Sequence, residues 1–176
     1  MNAWTRVGFA AVLVSVVASA VFLSSYLKEQ ASGAAATSGT QRPEFTLNDL
    51  QNKPRRVGEW DGKVLVVNFW ATWCPPCRKE IPQFIALQQE FGDRGLQFLG
   101  IAIDDPRTVR EFVPSLRFNY PILVGEQDAI DVAKAYGNLI GALPYTVVVD
   151  RKGAIVLTHQ GEVSGHQLEQ VIVRLI

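Results

Sequence analysis

Cysteine is scarce: the 176-residue chain has two, Cys74 and Cys77, and only two histidines, His159 and His166. Two cysteines cannot staple a small disulfide-rich scaffold, and no second C-x-x-C or H-x-x-x-H completes a zinc-ligand spacing with them. No metal or cofactor is called for, and the histidines read as surface or structural residues. Net charge is missing as well, since 17 Lys and Arg balance 17 Asp and Glu. Residues 44–176 hold 14 basic and 16 acidic side chains, with no polybasic run. A chain without a basic field has no electrostatic footprint for nucleic acid. There is no internal repeat. Apolar residues are plentiful at 48%, which excludes a wholly disordered chain. The length allows one principal domain with an appendage.

The appendage is N-terminal. From Val7 to Leu27, VGFAAVLVSVVASAVFLSSYL is 21 residues without a charge. At 1.5 Å per residue a helix of this length runs roughly 31 Å, about one hydrocarbon core. Residues 1–29 are therefore expected to form a single-pass signal anchor in a bacterial inner membrane, its N-terminus in the cytoplasm. The alternative is a signal peptide cleaved after Ala18-Ser19-Ala20, leaving a soluble periplasmic protein. In both cases the remainder is exported. Residues 30–43 are small and polar without hydrophobic periodicity, the signature of a flexible linker. The folded domain is expected over residues 44–176.

Within it, KVLVVNFW from Lys63 and LQFLGIAID from Leu96 read as interior strands. Between them, Pro75 to Phe91 has helical spacing and Gly92 as a stop. This strand-helix-strand unit predicts parallel strands in an α/β layered sheet. Asp105-Pro106 predicts a helix start, running to about Leu116. A short strand at Tyr120–Val124 and a helix at Asp128–Tyr136 follow. Tyr145–Asp150 and Ala154–His159 predict an antiparallel hairpin, and Ser164 caps a final amphipathic helix. Phe45–Leu47 and Arg55–Val57 suggest a small added hairpin, with Pro54 against it.

The chemistry lies in Trp70-Ala71-Thr72-Trp73-Cys74-Pro75-Pro76-Cys77, where an apolar strand ends and a helix begins. Two cysteines so spaced at a helix N-terminus come close enough for a disulfide, and the first sits by free amides and the positive dipole end. Cys74 is therefore the expected nucleophile and Cys77 the resolving thiol. The two intervening prolines supply no cationic or hydrogen-bonding side chain to lower the nucleophile's pKa further, which favours a reductant. The competing readings are an inert structural disulfide, which a four-residue closure makes a weak stabiliser, and core filling by the two tryptophans. A thiol peroxidase would need a Pro-x-x-x-Thr-x-x-Cys pattern, and Thr72 stands two positions ahead of Cys74 rather than three. A non-catalytic peptide-binding module is a further alternative.

WATWCPPC after an apolar strand, GALPYTVVVD before a hairpin and an exported, tethered chain resemble the membrane-anchored thioredoxin-like disulfide reductases of the TlpA and ResA type. The resemblance covers residues 44–176. It implies a thioredoxin-like fold, with a mixed central sheet flanked by helices, an N-terminal hairpin and a central insertion at about Pro106–Tyr136. It also implies electrons from a membrane thiol transporter and oxidised periplasmic proteins as substrates, sometimes apocytochromes c. By the same resemblance Pro144 matches a cis-proline facing the dithiol, so that Trp73, Leu143 and Pro144 form the expected substrate-binding surface. Glu80 matches an acid found in many members and is expected to relay a proton to and from Cys77; the alternative is a solvated first-turn carboxylate. Asn68 stands where thioredoxin has a buried Asp. Pro82 is expected to kink the helix.

Overall fold

The computed structural model describes residues 39–176, and the anchor or signal segment and most of the linker lie outside them. Seven strands form one mixed sheet: β1 Thr46–Asp49, β2 Pro54–Arg56, β3 Val64–Trp70, β4 Leu96–Ile103, β5 Ile122–Gly125, β6 Tyr145–Val149 and β7 Ile155–Gln160. Their spatial order is β2-β1-β5-β4-β3-β6-β7. The apolar runs occupy the centre because strands buried on both faces cannot alternate polar with apolar; β3 is buried at all seven positions. β3 pairs parallel with β4, and β4 with β5, while every other pairing is antiparallel.

Four helices cover the sheet: α1 Pro75–Phe91, α2 Pro106–Phe112, α3 Gln127–Ala135 and α4 Gly165–Ile172. Strand periodicity divides β3 between two cores. Val64, Val66 and Trp70 pack with Ile81, Phe84 and Phe91 of α1 and with Leu168 and Ile172 of α4. Leu65, Val67 and Phe69 face the opposite side, toward Ala129 and Ala133 of α3. Asn68 is therefore on the α1 face. Its antiparallel partner in β6 is Thr146, so the two stand on the same face.

Local chemistry sets the ends as expected. Asp105 caps α2 by accepting from the amides of Arg107 and Thr108, and Ser164 with Gln167 forms a capping box on α4. The expected helix to Leu116 is shorter: α2 stops at Phe112 and a 3-10 turn, Val113–Ser115, follows. Pro114 has no N–H for the carbonyl four residues back. Pro82 lies inside α1, which continues as one helix to Phe91. Pro54 is tolerated because it opens an edge strand. The segment expected as a central insertion, about Pro106–Tyr136, forms α2, β5 and α3, and β5 lies between β1 and β4 inside the sheet.

The end of the expected linker differs. Gln41 bridges Ala154, the amide of Ile155 donates to the Thr40 carbonyl and that of Arg42 donates to Gly153. Residues 40–42 are thus attached to the edge beside β7, ahead of the expected start at 44. Among the described residues no helix is long and apolar enough to cross a membrane.

Candidate active site

β3 delivers the chain to the dithiol. After Trp70, Thr72 is held by Asp104 at the end of β4: the carboxylate accepts from the Thr72 amide at 2.9 Å and its hydroxyl at 2.6 Å. This brace fixes the approach to Cys74. Cys74 is the N-cap of α1 and is disulfide-bonded to Cys77, their Cα atoms 5.3 Å apart. Pro75 and Pro76 fill the first two helical positions and have no amides to offer. The first free amide is that of Cys77, which donates to Cys74 Sγ at 3.3 Å. An N–H aimed at this sulfur also favours the thiolate it becomes on reduction. Cys74 retains 3% exposure and Cys77 none.

Glu80 is one turn further along α1 and fully buried. It is not a solvated first-turn carboxylate. One carboxylate oxygen accepts from Asn68 Nδ2 at 2.8 Å and the other from the Val163 amide at 3.1 Å. Burial pushes its pKa up from 4.5 to about 7, against the pull of these two hydrogen bonds, and the like charge of Glu162 adds to the rise. Asn68 Nδ2 also donates to Thr146 Oγ1 at 3.0 Å. Asn68 Oδ1 has no partner among the described residues. Burial, with Glu80 adding to it, holds the Tyr120 phenol well above its ordinary range.

The remaining expected residues lie at the same end of the sheet, Trp73 exposed, Leu143 half-buried and Pro144 buried. The Leu143–Pro144 bond is cis, and Phe69 of β3 pairs with Tyr145 immediately after it. Leu143 packs against both cores. The Pro144 carbonyl accepts from the Gly161 amide at 2.8 Å. The two tryptophans separate: Trp70 is buried core, whereas Trp73 is 67% exposed.

Three features of this region escaped the sequence reading. Asp104 stands in the sequence only as the end of an apolar strand. Asn138, wholly buried, clamps the turn ahead of the cis bond by donating to the Ala142 carbonyl at 2.8 Å and accepting its amide at 2.9 Å. That turn presents Leu139 and Ile140 at 76% and 77% exposure. The signal available in the sequence was the apolar pair Leu139-Ile140 set between Gly137 and Gly141.

The AhpC/TSA family profile matches residues 38–158. The thiol-disulfide oxidoreductase ResA of Halalkalibacterium halodurans is 31% identical over 168 residues, covering 95% of this chain and 91% of that protein. ResA of Geobacillus thermodenitrificans is also 31% identical, over 137 residues, covering 77% of this chain and 76% of that one. Among solved structures, a thioredoxin-family thiol:disulfide interchange protein of Chlorobium tepidum superposes with a TM-score of 0.72 at 29% identity, covering 80% of this chain and 99% of its own. StoA of Bacillus subtilis shares the fold at a TM-score of 0.60 and 21% identity, covering 73% of this chain and 96% of its own. With a disulfide at the helix start and a sheet of this order, the chain belongs to the AhpC/TSA family as a thioredoxin-like thiol-disulfide oxidoreductase of the ResA type.

Proposed function

We propose that this oxidoreductase works as a disulfide reductase on exported proteins. The observation that carries the reading is the Cys74–Cys77 pair at the start of α1, one turn before a buried carboxyl whose pKa is about 7. In the reduced protein Cys74 attacks one sulfur of a substrate disulfide, forming a mixed disulfide and releasing the other substrate sulfur as a thiolate. Cys77 gives its proton to Glu80 and attacks Cys74 Sγ. The second substrate thiolate leaves, and the protein is left with the Cys74–Cys77 disulfide. A carboxyl poised near neutrality can take and return this proton, which one ionised at 4.5 does poorly. Two electrons from a donor, a membrane thiol transporter in this reading, regenerate the dithiol.

The substrate segment is received by Trp73, by the Leu143 backbone beside Pro144, and by the exposed Leu139 and Ile140. Apocytochrome c is one substrate of this kind. In this reading the catalytic domain works in the periplasm on a single-pass inner-membrane anchor, which the length and lack of charge of Val7–Leu27 support; a soluble species beginning near Val21 on fractionation would replace the anchor with a cleaved signal. Insulin reduction by the full chain, beside a Cys74→Ser/Cys77→Ser variant, tests turnover. The reduction potential tests direction: a value near roughly −270 mV supports a reductant, and one near roughly −120 mV makes the protein an oxidant.

A further inference from the structure

Asn68 uses its amide asymmetrically. Both N–H groups of Nδ2 are engaged, one on Glu80 Oε1 at 2.8 Å and one on Thr146 Oγ1 at 3.0 Å, while Oδ1 has no partner among the described residues. A buried acceptor without a donor is unfavourable, so the other half of the amide must repay the arrangement. The reverse orientation would point Oδ1 at a carboxylate oxygen and leave the N–H groups unpaired. The orientation present therefore suits an ionised Glu80.

The groups around Glu80 sharpen the point. Glu162, preceding α4, is of the same sign and is itself paired with Lys79 at 3.2 Å. Tyr120, preceding β5, is a buried phenol that stays neutral. Cys77, one turn earlier on α1, becomes a second anion when its thiol ionises. The hydrogen bonds to the carboxylate come from Asn68 and from the Val163 amide. Of these two, only Asn68 is a side chain, and β3 and β6 fix it by placing it directly opposite Thr146.

We propose that Asn68, oriented by Thr146, is a positioning residue that keeps the Glu80 carboxylate able to accept the proton of Cys77. The chain of action runs from the Thr146 hydroxyl to the Asn68 amide to the Glu80 oxygen. It rests on the reading of Glu80 as the proton carrier given above. Thr146 acts only through Asn68, so the effects of the two residues should not add.

The test uses the full chain in detergent, oxidised so that the cysteines do not titrate, with glutamate labelled by 13C at the side-chain carboxyl. The Glu80 resonance is assigned by its loss in Glu80→Gln. Losing a hydrogen bond to a charged group should move the Glu80 midpoint up by about one pH unit in Asn68→Leu. Thr146→Val should move it the same way by less, and the double variant no further than Asn68→Leu alone. Midpoints equal to the parent's in both single variants overturn the proposal, as does additivity in the double variant. If Asn68→Leu does not fold, Thr146→Val decides by the same criterion: an upward shift supports the chain of action and no shift overturns it. The catalytic reading of Glu80 is tested separately, by disulfide exchange rates of Glu80→Gln from pH 5 to 9. Rates that overlay the parent's remove the proton carrier whatever the midpoints show.

Discussion

Replacing Glu80 by Gln should change how stability depends on pH, by an amount the burial of this carboxyl sets. In the unfolded chain the group titrates at its ordinary 4.5, and in the fold at about 7. Burial disfavours the charge, while the hydrogen bonds from Asn68 and Val163 favour it; burial wins. Below the unfolded value both states carry the proton, so the group's contribution to stability is fully present there. Between 4.5 and about 7 the unfolded state releases the proton and the folded state keeps it. Stability is therefore lost as pH rises through this window, and the loss is complete above it. The gap of about 2.5 pH units, at about 1.4 kcal/mol each, makes the loss about 3 kcal/mol.

Gln does not titrate, so the variant lacks this slope. Its absolute stability also differs, because a Gln nitrogen facing Asn68 Nδ2 sets donor against donor. The informative quantity is thus the difference between parent and variant as a function of pH. Urea unfolding of the oxidised protein at intervals from pH 4 to 8 measures it, with the disulfide intact. The parent should lose about 3 kcal/mol relative to Glu80→Gln across that range. A difference that stays constant would mean that Glu80 titrates in the fold as it does in the unfolded chain, and the desolvation argument would fail.

Other outcomes follow from the same geometry. Cys77→Ala should accumulate a mixed disulfide through Cys74, seen as a covalent adduct on non-reducing electrophoresis, and Cys74→Ala should not; the opposite pattern reverses the two roles. Asp104→Ala removes both hydrogen bonds to Thr72 and should lower stability by about 1 to 3 kcal/mol in urea unfolding. Leu139→Ser with Ile140→Ser should leave stability within about 0.5 kcal/mol, because both side chains are exposed. The same pair should slow reduction of insulin more than reduction of a small disulfide, as competition between the two substrates would report.

What could be read from the sequence depended on how far apart in the chain the partners lie. Cys74, Cys77 and Glu80 share one helix, so their order, the stiff proline pair and the one-turn spacing were legible, as was the strand that carries Asn68. The meaning of Asn68 was not. Strand periodicity puts it on the α1 face, but its partner Thr146 lies 78 residues away and is met only through the β3–β6 register. Glu80's second donor, the Val163 amide, is 83 residues away in a loop without a motif. The same distinction explains residues 40–42. Their small polar composition describes a chain with nothing to bury, yet the edge beside β7 offers backbone groups that any sequence can pair with. Sequence pattern reports what side chains prefer locally, whereas the protonation of Glu80 is decided by its burial, opposed by hydrogen bonds from Asn68 and Val163 that distant parts of the chain bring to it. The family resemblance thus points to the carboxyl beside Cys77, and only the packed structure shows the burial that pushes its pKa up to about 7.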